Sequence, residues 1–592
     1  MQLQKERFKR VGSFLLSATL SGALILGGNN ISCAASGKQG GKVKGEYLSG
    51  DFHQHTFYTD GSTSFDFVME TSNNYGLDWW ANSEHGGSRN RNGDGNFWDT
   101  LNPPVTILGD VASSGGHRVM WRWQSLRDFV FPDILDARAL YFDRKIFSGL
   151  EWNVPGHEHC STAVVAEDAS AISAFEYQFD KSDRDTSRTG EFTPYGTLTK
   201  MNGRSPDQTT IKPSGNDRHA DAVAGCRWMQ QQYDAKTIDN AWIIFAHIER
   251  AGVFQTGSSD GGYNIEHFRD FNNAAPDICF GFEGAPGHQV NDDRGFGNTV
   301  TCDAAGNCTS SDFGGSYGGV GYYTAKVGGL WDALLGEGRR WFNFANSDYH
   351  RHYTRTDAPG AGDDFYPGEY QKTWVYTEDS DRDGDYSLNE IADGLRSGNA
   401  YFVHGDLINY LEFEAQDQSQ KVAMGGELRA HGKVKNLKLK IRFKSPATNN
   451  CVVDGTYINA CAAPVVDHID LIAGEITGKV KPGDPNYTNA SNTTTKVIAS
   501  FRKKDWEVDK EGYSVIVHHI KNVDKNTYFR LRGTNLACNT PYETGPVTTL
   551  PSADYCKPLA DALVTQNLGI DGAQEAWADL WFYSNPIFVY VK

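Results

Sequence analysis

Two rhythms of apolar and polar positions divide the chain. From about residue 47 to 405, short apolar runs alternate with stretches of helical spacing. Residues 65–75 read as a helix, and 76–81, which read Gly-Leu-Asp-Trp-Trp-Ala, predict the strand after it. An apolar run at 241–246 predicts a second strand, 331–336 a helix and 341–345 another strand. Strands that alternate with helices point to a parallel sheet or barrel. From about 406 the rhythm changes. Residues 437–443 alternate strictly between apolar and basic, as a half-buried strand does, and 468–472, 513–517, 528–531 and 587–591 also read as strands. With turn residues between them they predict an antiparallel β-sandwich over 406–592. Polar or Gly-rich stretches at 86–118, 178–222 and 288–322 read as long loops, and no internal repeat is found.

Chemistry collects where the apolar runs end. His53 and His55 lie one residue apart, so on an extended strand both imidazoles reach the same side. Asp60-Gly61 then turns the chain and returns a carboxylate toward them. Similar endings recur at Ser83-Glu84-His85, Gly149-Leu150-Glu151, His157-Glu158-His159, Phe245-Ala246-His247 and Asn346-Ser347-Asp348-Tyr349-His350. Imidazole and carboxylate together suit zinc, manganese or iron. In α/β folds such residues gather at the carboxyl ends of strands. No Cys-x-x-Cys pair occurs, which argues against a tetrahedral cysteine-zinc site.

These pieces, in this order, resemble the PHP (polymerase and histidinol phosphatase) family of metal-dependent phosphoesterases over roughly residues 47–405. Two positions depart from the family pattern: Glu84 stands where an Asp usually precedes the histidine, and Ile248 where proline is common. The resemblance implies a distorted (β/α)7 barrel and three metal groupings: His53, His55, Glu151 and Asp348; Glu151, His159 and His247; Asp60, His85 and His350. Glu151 would be the bridging carboxylate. His157 competes with His159 and is read as a group beside the substrate, a candidate with His352 for protonating the leaving oxygen. Glu84 is not needed as a ligand and reads as exposed at the rim. Two or three divalent ions so placed would turn water into a nucleophile and neutralise phosphoryl charge, so no nucleophilic serine or cysteine is required. Arg89, Arg91, Arg250 and Arg351 lie near motif residues and have the fork geometry for a phosphate; taken singly, each reads as a surface arginine.

A second metal motif lies apart from these. Asp379, Asp381, Asp383, Gly384, Asp385 and Glu390 match the calcium-loop pattern Asp-x-Asp-x-Asp-Gly-x5-Glu without a gap. A strand precedes it, so it is no full EF-hand; residues 389–397 supply the exiting helix.

Composition changes the picture in three ways. At 592 residues the chain is too long for one ordinary core. A net charge of −18 argues against a stable nucleic-acid complex, though not against a small phosphate ester beside bound cations. Lys5, Arg7, Lys9 and Arg10 precede an apolar stretch at 11–27 and small residues Ser32 to Ala35. That pattern predicts a secretory signal over 1–35, a linker at 36–46 and a secreted or periplasmic protein without a transmembrane anchor. Asn30 is polar where a lipoprotein signal needs an apolar residue. Export permits disulfides, and Cys302–Cys308, Cys451–Cys461 and Cys538–Cys556 are candidate loops. Asn486, Asn489 and Asn492 each open an Asn-x-Ser/Thr triplet. The expectation is an exported phosphoesterase of small mono- or diesters. The alternatives are an extracellular nuclease and a non-catalytic, calcium-stabilised surface or carbohydrate-binding protein.

Overall fold

A computed structural model describes residues 44–187, 192, 195, 215–251, 261–290, 298–302, 308–312, 319–353, 364–450, 462–537 and 572–591. The signal segment 1–35, nearly all of the linker, and Cys451, Cys461, Cys538 and Cys556 lie outside them. Residues 44–592 form one compact unit.

The first strand, β1 (Lys44–Asp51), runs into the His-x-His segment. Helix α1 (Phe65–Asn74) follows; Ser64 caps it by accepting the Phe67 N–H, and Phe65, Val68 and Met69 form its buried face. The sheet continues through β2 (Trp79–Asn82), β3 (Lys145–Asn153), β4 (His159–Val165), β5 (Asn240–Phe245), β6 (Gly281–Ala285) and β7 (Phe342–Ala345). In space these strands lie in the order β7-β6-β5-β4-β3-β2-β1. β1, β2 and β3 are parallel, as are β5, β6 and β7, but β4 is antiparallel to both neighbours. The reason is local: β3 and β4 are joined by residues 154–158 alone, and five residues are too few for a parallel crossover. Beyond β1 the sheet carries on through β8 (Gln371–Asp379) and β9 (Ala400–His404), both antiparallel to the strand before.

Strands β1 and β7 share no ladder among the described residues, but the segments leaving them meet. Gln54 and Tyr349 form an isolated parallel bridge. The His55 N–H donates to the Tyr349 carbonyl at 2.8 Å. Buried Asp51 accepts from the N–H groups of His53 and Ser347, both at 2.9 Å, and its carboxyl is pushed up to about 7 by that burial. The arrangement is a mixed α/β sheet, and the ends of its first and seventh strands are pinned side by side. Beneath them lies an aromatic floor of Phe52, Trp79, Phe147, Trp242 and Phe344, all buried. The Phe147 and Trp242 rings sit 4.7 Å apart, edge to face.

The large sheet does not stop near residue 405. β9 pairs with Trp581–Ser584, and the order continues through Thr527–Thr534, His468–Glu475 and Lys496–Arg502. A five-stranded antiparallel sheet centred on Val434–Lys444 faces these strands. Leu411, Phe413, Leu439 and Ile441 of the smaller sheet share one core with Leu471, Leu531, Phe582 and Val589 of the larger. The strict alternation at 437–443 therefore buries every second residue. No helix among the described residues is long and apolar enough to cross a membrane.

Candidate metal centre

Residues from six strand ends and the loops after them converge beside the Gln54–Tyr349 seam. Glu151 lies at the middle, on β3, fully buried. Its Oε1 is 3.2 Å from His53 Nε2, 2.8 Å from His159 Nδ1 and 2.9 Å from His247 Nε2. Its Oε2 is 3.2 Å from His55 Nε2 and 2.8 Å from His85 Nδ1. The two oxygens thus serve two different sets of imidazoles. Asp348 Oδ1 lies 3.0 Å from His53 Nε2 and 3.2 Å from His55 Nε2. Asp60, partly exposed at the rim, approaches His85 Nε2 and His350 Nε2, each at 3.4 Å. His53, His55, Glu151 and Asp348 form one group with metal-ligand spacing; His55, Asp60, His85 and His350 form another. Around His159 and His247 a second carboxylate, Glu158, lies within range beside Glu151, and Glu151 also groups with His85 and His159.

The backbone is shaped to present these groups. Gly61 lets the turn fold under the histidine strand, because a Cβ there would come within 2.5 Å of the His55 backbone. His247, His288 and Asp348 adopt positive φ values of 27°, 58° and 45°, a region costly for residues with a Cβ and often found at functional sites.

Outer partners fix which nitrogen of each ring carries its hydrogen. His53 Nδ1 is 3.1 Å from both oxygens of Glu283. His350 Nδ1 is 2.8 Å from the Asp348 carbonyl, and His288 Nδ1 is 2.5 Å from Asp364. A carbonyl or carboxylate can only accept, so in each ring Nδ1 holds the hydrogen and Nε2 turns a lone pair inward. The inward atoms of His53 and His288 then face carboxylate oxygens, the latter at 3.0 Å from Asp348 Oδ2. His53 Nε2, His55 Nε2, His85 Nδ1, Glu151 Oε2 and both Asp348 oxygens are buried without an aligned hydrogen-bond partner among the described residues. Buried acceptors facing one another cost free energy unless a cation lies between them. The donor set therefore fits divalent metal ions.

Without metal, protons take that place. Burial opposes charging His53 and His85, but Asp348 with Glu283, and Glu151 with Asp60, outweigh it and raise both. His350 is raised to about 9 in spite of burial, chiefly by Asp60. Burial and the Arg250 cation lower His247 to about 3.

Three sequence expectations need correction. His157 does not turn its imidazole into the centre: its Nε2 meets His219 Nδ1 at 2.8 Å. His352 bonds Glu369 at 3.0 Å and stacks on Tyr366. Glu84 is buried, not exposed at the rim. It accepts from the hydroxyls of Thr56 and Thr59 and from Asn82 at 3.0 Å, and so holds the loop that carries His55 and Asp60. Arg250 is held by Glu158 at 3.0 Å, with its Nη2 3.3 Å from His159 Nδ1. Arg89 is half-buried and within electrostatic range of Asp60; Arg351 is exposed. Sequence reading missed Glu283, His288, Glu158 and Asp364. The apolar run Phe280 to Phe282 ends on Glu283, the same signal that marked the other strand ends.

In the calcium-type loop the carboxylates have partners of their own. Asp381 accepts the Asp383 N–H at 3.1 Å, Asp383 the Asp385 N–H at 2.9 Å, and Asp385 pairs with Lys145 at 2.6 Å. Cys160, Cys226 and Cys279 are buried free thiols, and the backbone register sets Cys302 opposite Cys308.

No family model matches the chain, and no curated protein matches it. A crystal structure of a two-domain protein from Bacteroides vulgatus, containing a predicted PHP-like metal-dependent phosphoesterase, aligns with it at 10% identity. The alignment covers 85% of this chain and 96% of that one, with a TM-score of 0.28. A likeness that weak carries no argument, and the reading below rests on the side chains.

Proposed function

We propose that the protein is an exported metal-dependent hydrolase of small phosphate mono- or diesters. One observation carries the reading: the oxygens of Glu151 and Asp348 face imidazole nitrogens on several sides, at 2.8–3.2 Å, in a buried setting. In this reading β1 to β7 are a distorted barrel with its seam at Gln54 and Tyr349. His53, His55, Glu151 and Asp348 hold one ion. His159 and His247 hold a second with Glu151, and Glu158 stands close by. Asp60, His85 and His350 hold a third at the rim. When bound, such ions would supply an activated water and neutralise charge on a phosphoryl group. The chain's own role is to fix the donors. Glu283 and the Asp348 carbonyl orient two of the imidazoles, and Glu84 holds the rim loop. Arg250, kept charged beside Glu158, and Arg89 are the cations assigned to the phosphoryl oxygens. Residues 379–390 take one calcium ion, which fixes the helix that follows, and the mature chain begins after residue 35.

The test is metal analysis of the purified full-length protein, with turnover of a chromogenic phosphomonoester and a diester. Two or three equivalents of zinc, manganese or iron and turnover of at least one ester are expected, both lost in Glu151→Gln. A protein that binds the metals and cleaves neither ester sinks the hydrolase reading. Cleavage of single-stranded DNA in preference to both small esters would replace it with a nuclease.

A further inference from the structure

A second set of imidazoles lies outside the centre. His157 sits in the turn between β3 and β4, His219 on helix Gly215–Asp234 and His267 on helix Ile265–Ala274. Their ring centroids are 4.5–5.0 Å apart, and each offers a nitrogen within 4.8 Å of the other two. His157 and His267 are buried; His219 is largely so. Only Glu158 separates His157 from His159 in sequence, yet the two rings face different neighbours: His159 meets Glu151, and His157 meets His219.

The hydrogen positions decide what this cluster can hold. His157 Nδ1 is 3.1 Å from the Gly262 carbonyl, which only accepts, so Nδ1 bears the hydrogen and Nε2 a lone pair. His219 Nε2 is 3.2 Å from Asp270 Oδ2, a carboxylate that also accepts from the Tyr487 hydroxyl. Nε2 therefore bears the hydrogen of neutral His219, and its Nδ1 bears a lone pair. These two lone-pair nitrogens stand 2.8 Å apart. Two acceptors do not face each other at that distance without a cation between them. A backbone carbonyl on one ring and a carboxylate on the other are the outer partners that orient metal-bound imidazoles.

We propose that His157, His219 and His267 form a separate site for a single divalent transition-metal ion of the zinc class. His157 ligates through Nε2 and His219 through Nδ1. Zinc–nitrogen bonds of about 2.0–2.1 Å in tetrahedral geometry set neighbouring ligand nitrogens roughly 3.3 Å from each other, so the pair opens by about half an ångström on binding. His267 is the adjustable ligand. Its Nδ1 now accepts the Asn264 N–H at 2.9 Å in the helix cap, and it exchanges that bond for the metal when its ring turns. The ion would pin both helices to the β3–β4 turn, which carries Glu158 and His159 into the larger centre. Its role is structural, and it needs neither turnover nor occupancy of that centre.

The experiment uses full-length protein carrying Glu151→Gln, Asp348→Asn, His85→Ala and His247→Ala, which takes at least one ligand from every group of the larger centre. After loading with zinc and desalting, one equivalent is expected to remain, and adding His219→Gln removes it. Cobalt(II) in its place gives the intense visible bands of a tetrahedral nitrogen site, lost in His219→Gln and in His267→Ala. Circular dichroism of each variant separates loss of the site from loss of fold. The competing occupant is a proton. Imidazole nitrogen NMR that shows both His219 nitrogens protonated, unchanged by added zinc, overturns the proposal. Residual zinc that survives both His219→Gln and His267→Ala overturns it as well. Because the larger centre is already disabled, failure here says nothing against the phosphoesterase reading.

Discussion

In the centre around Glu151, carboxylate oxygens face the lone pairs of imidazoles; in the loop at 379–390, they face the loop's own N–H groups. Both regions carry metal-ligand spacing in the sequence. In the first, Asp348 and Glu151 are buried, and three of their four oxygens have no aligned hydrogen-bond partner among the described residues. In the second, Asp381, Asp383 and Asp385 are exposed and turn their oxygens back on the chain, while Glu390 accepts the N–H groups of Ser380 and Ser387 at 2.6 and 2.9 Å. The loop closes on hydrogen bonds and the Asp385–Lys145 pair, with one Asp379 oxygen left without an aligned partner among the described residues, whereas the centre sets several buried acceptors against one another. Spacing says which side chains can converge, and the partners of their outer atoms say whether anything must lie between them.

The comparison breaks most directly by removing one carboxylate from each region. Asp348→Asn takes away a buried oxygen that meets His53 and His55. The transition metal of the innermost group and all phosphoester turnover should go, with the circular dichroism spectrum kept. Asp381→Asn alters one exposed oxygen of the loop and should leave both transition-metal content and turnover at wild-type level. If Asp381→Asn costs turnover as Asp348→Asn does, the two regions are coupled and the contrast fails.

A smaller effect is expected one layer out. Glu283 touches no proposed ion but holds the Nδ1–H of His53 with both oxygens and also accepts from Ser161 at 2.7 Å. Removing such an outer partner typically costs 10–100-fold in metal affinity or activity. Glu283→Gln should weaken zinc binding by about that factor, measured by competition with a chelating dye. An unchanged affinity would mean that His53 is oriented by packing alone.

The hydrophobic rhythm marked several of the strands, among them 79–82, 240–245, 342–345 and 434–444, because period-two burial is written residue by residue. It did not foretell that β4 would run backwards or that one sheet would cross from β9 to Trp581–Ser584, since pairing partners are a property of long-range packing. The nine ligand-type residues were legible for a related reason. Most end an apolar run, and strand ends of one sheet meet at one edge; His159 opens its strand instead, and Asp60 lies in the turn after the histidine pair. Glu283 follows a short apolar run as well, but its partners His53 and Ser161 lie on other strands, and nothing local marks it. Glu84 was misjudged because its partners Thr56 and Thr59 lie in another loop, and a lone carboxylate gives no sign of whether it faces water or hydroxyls. His219 and His267 lie within helices, where nothing local distinguishes a ligand from a surface histidine.

In the metal-free protein pH acts on the centre from two sides. His350 has its pKa raised to about 9, so its stabilising contribution is complete below about 6.5 and is lost as pH rises from there through 9. His247, lowered to about 3, acts in the opposite sense: the unfolded chain binds the extra proton between 3 and 6.5, so stability falls as pH drops through that range. The joint contribution of these two groups should therefore be greatest near pH 6.5. Bound metal replaces the protons and strengthens as pH rises, so the alkaline loss should vanish in the loaded protein. Thermal melts at pH 5, 6.5 and 9, with and without chelator, check this. An alkaline loss that persists with metal bound would place its source outside the centre.

The smallest effect tests the loop. Ser387 caps helix Leu388–Ser397 by accepting the Glu390 N–H, while Glu390 reaches back to the Ser387 N–H at 2.9 Å. Such a reciprocal cap is worth about 1 kcal/mol. Glu390 is also the last ligand position of the calcium pattern, so its carboxylate serves the helix whether or not an ion is bound. Ser387→Ala should lower the calcium-free stability by about 1 kcal/mol, because it removes the cap; as position nine of the pattern, which usually reaches the ion through a water, it should weaken stabilisation by calcium without abolishing it. Asp381→Asn together with Asp383→Asn should leave the calcium-free stability nearly unchanged and abolish any stabilisation by added calcium. If calcium raises the melting temperature of that double variant as much as it raises the wild type's, the loop is a helix cap with an acidic surface, and calcium acts elsewhere on the chain.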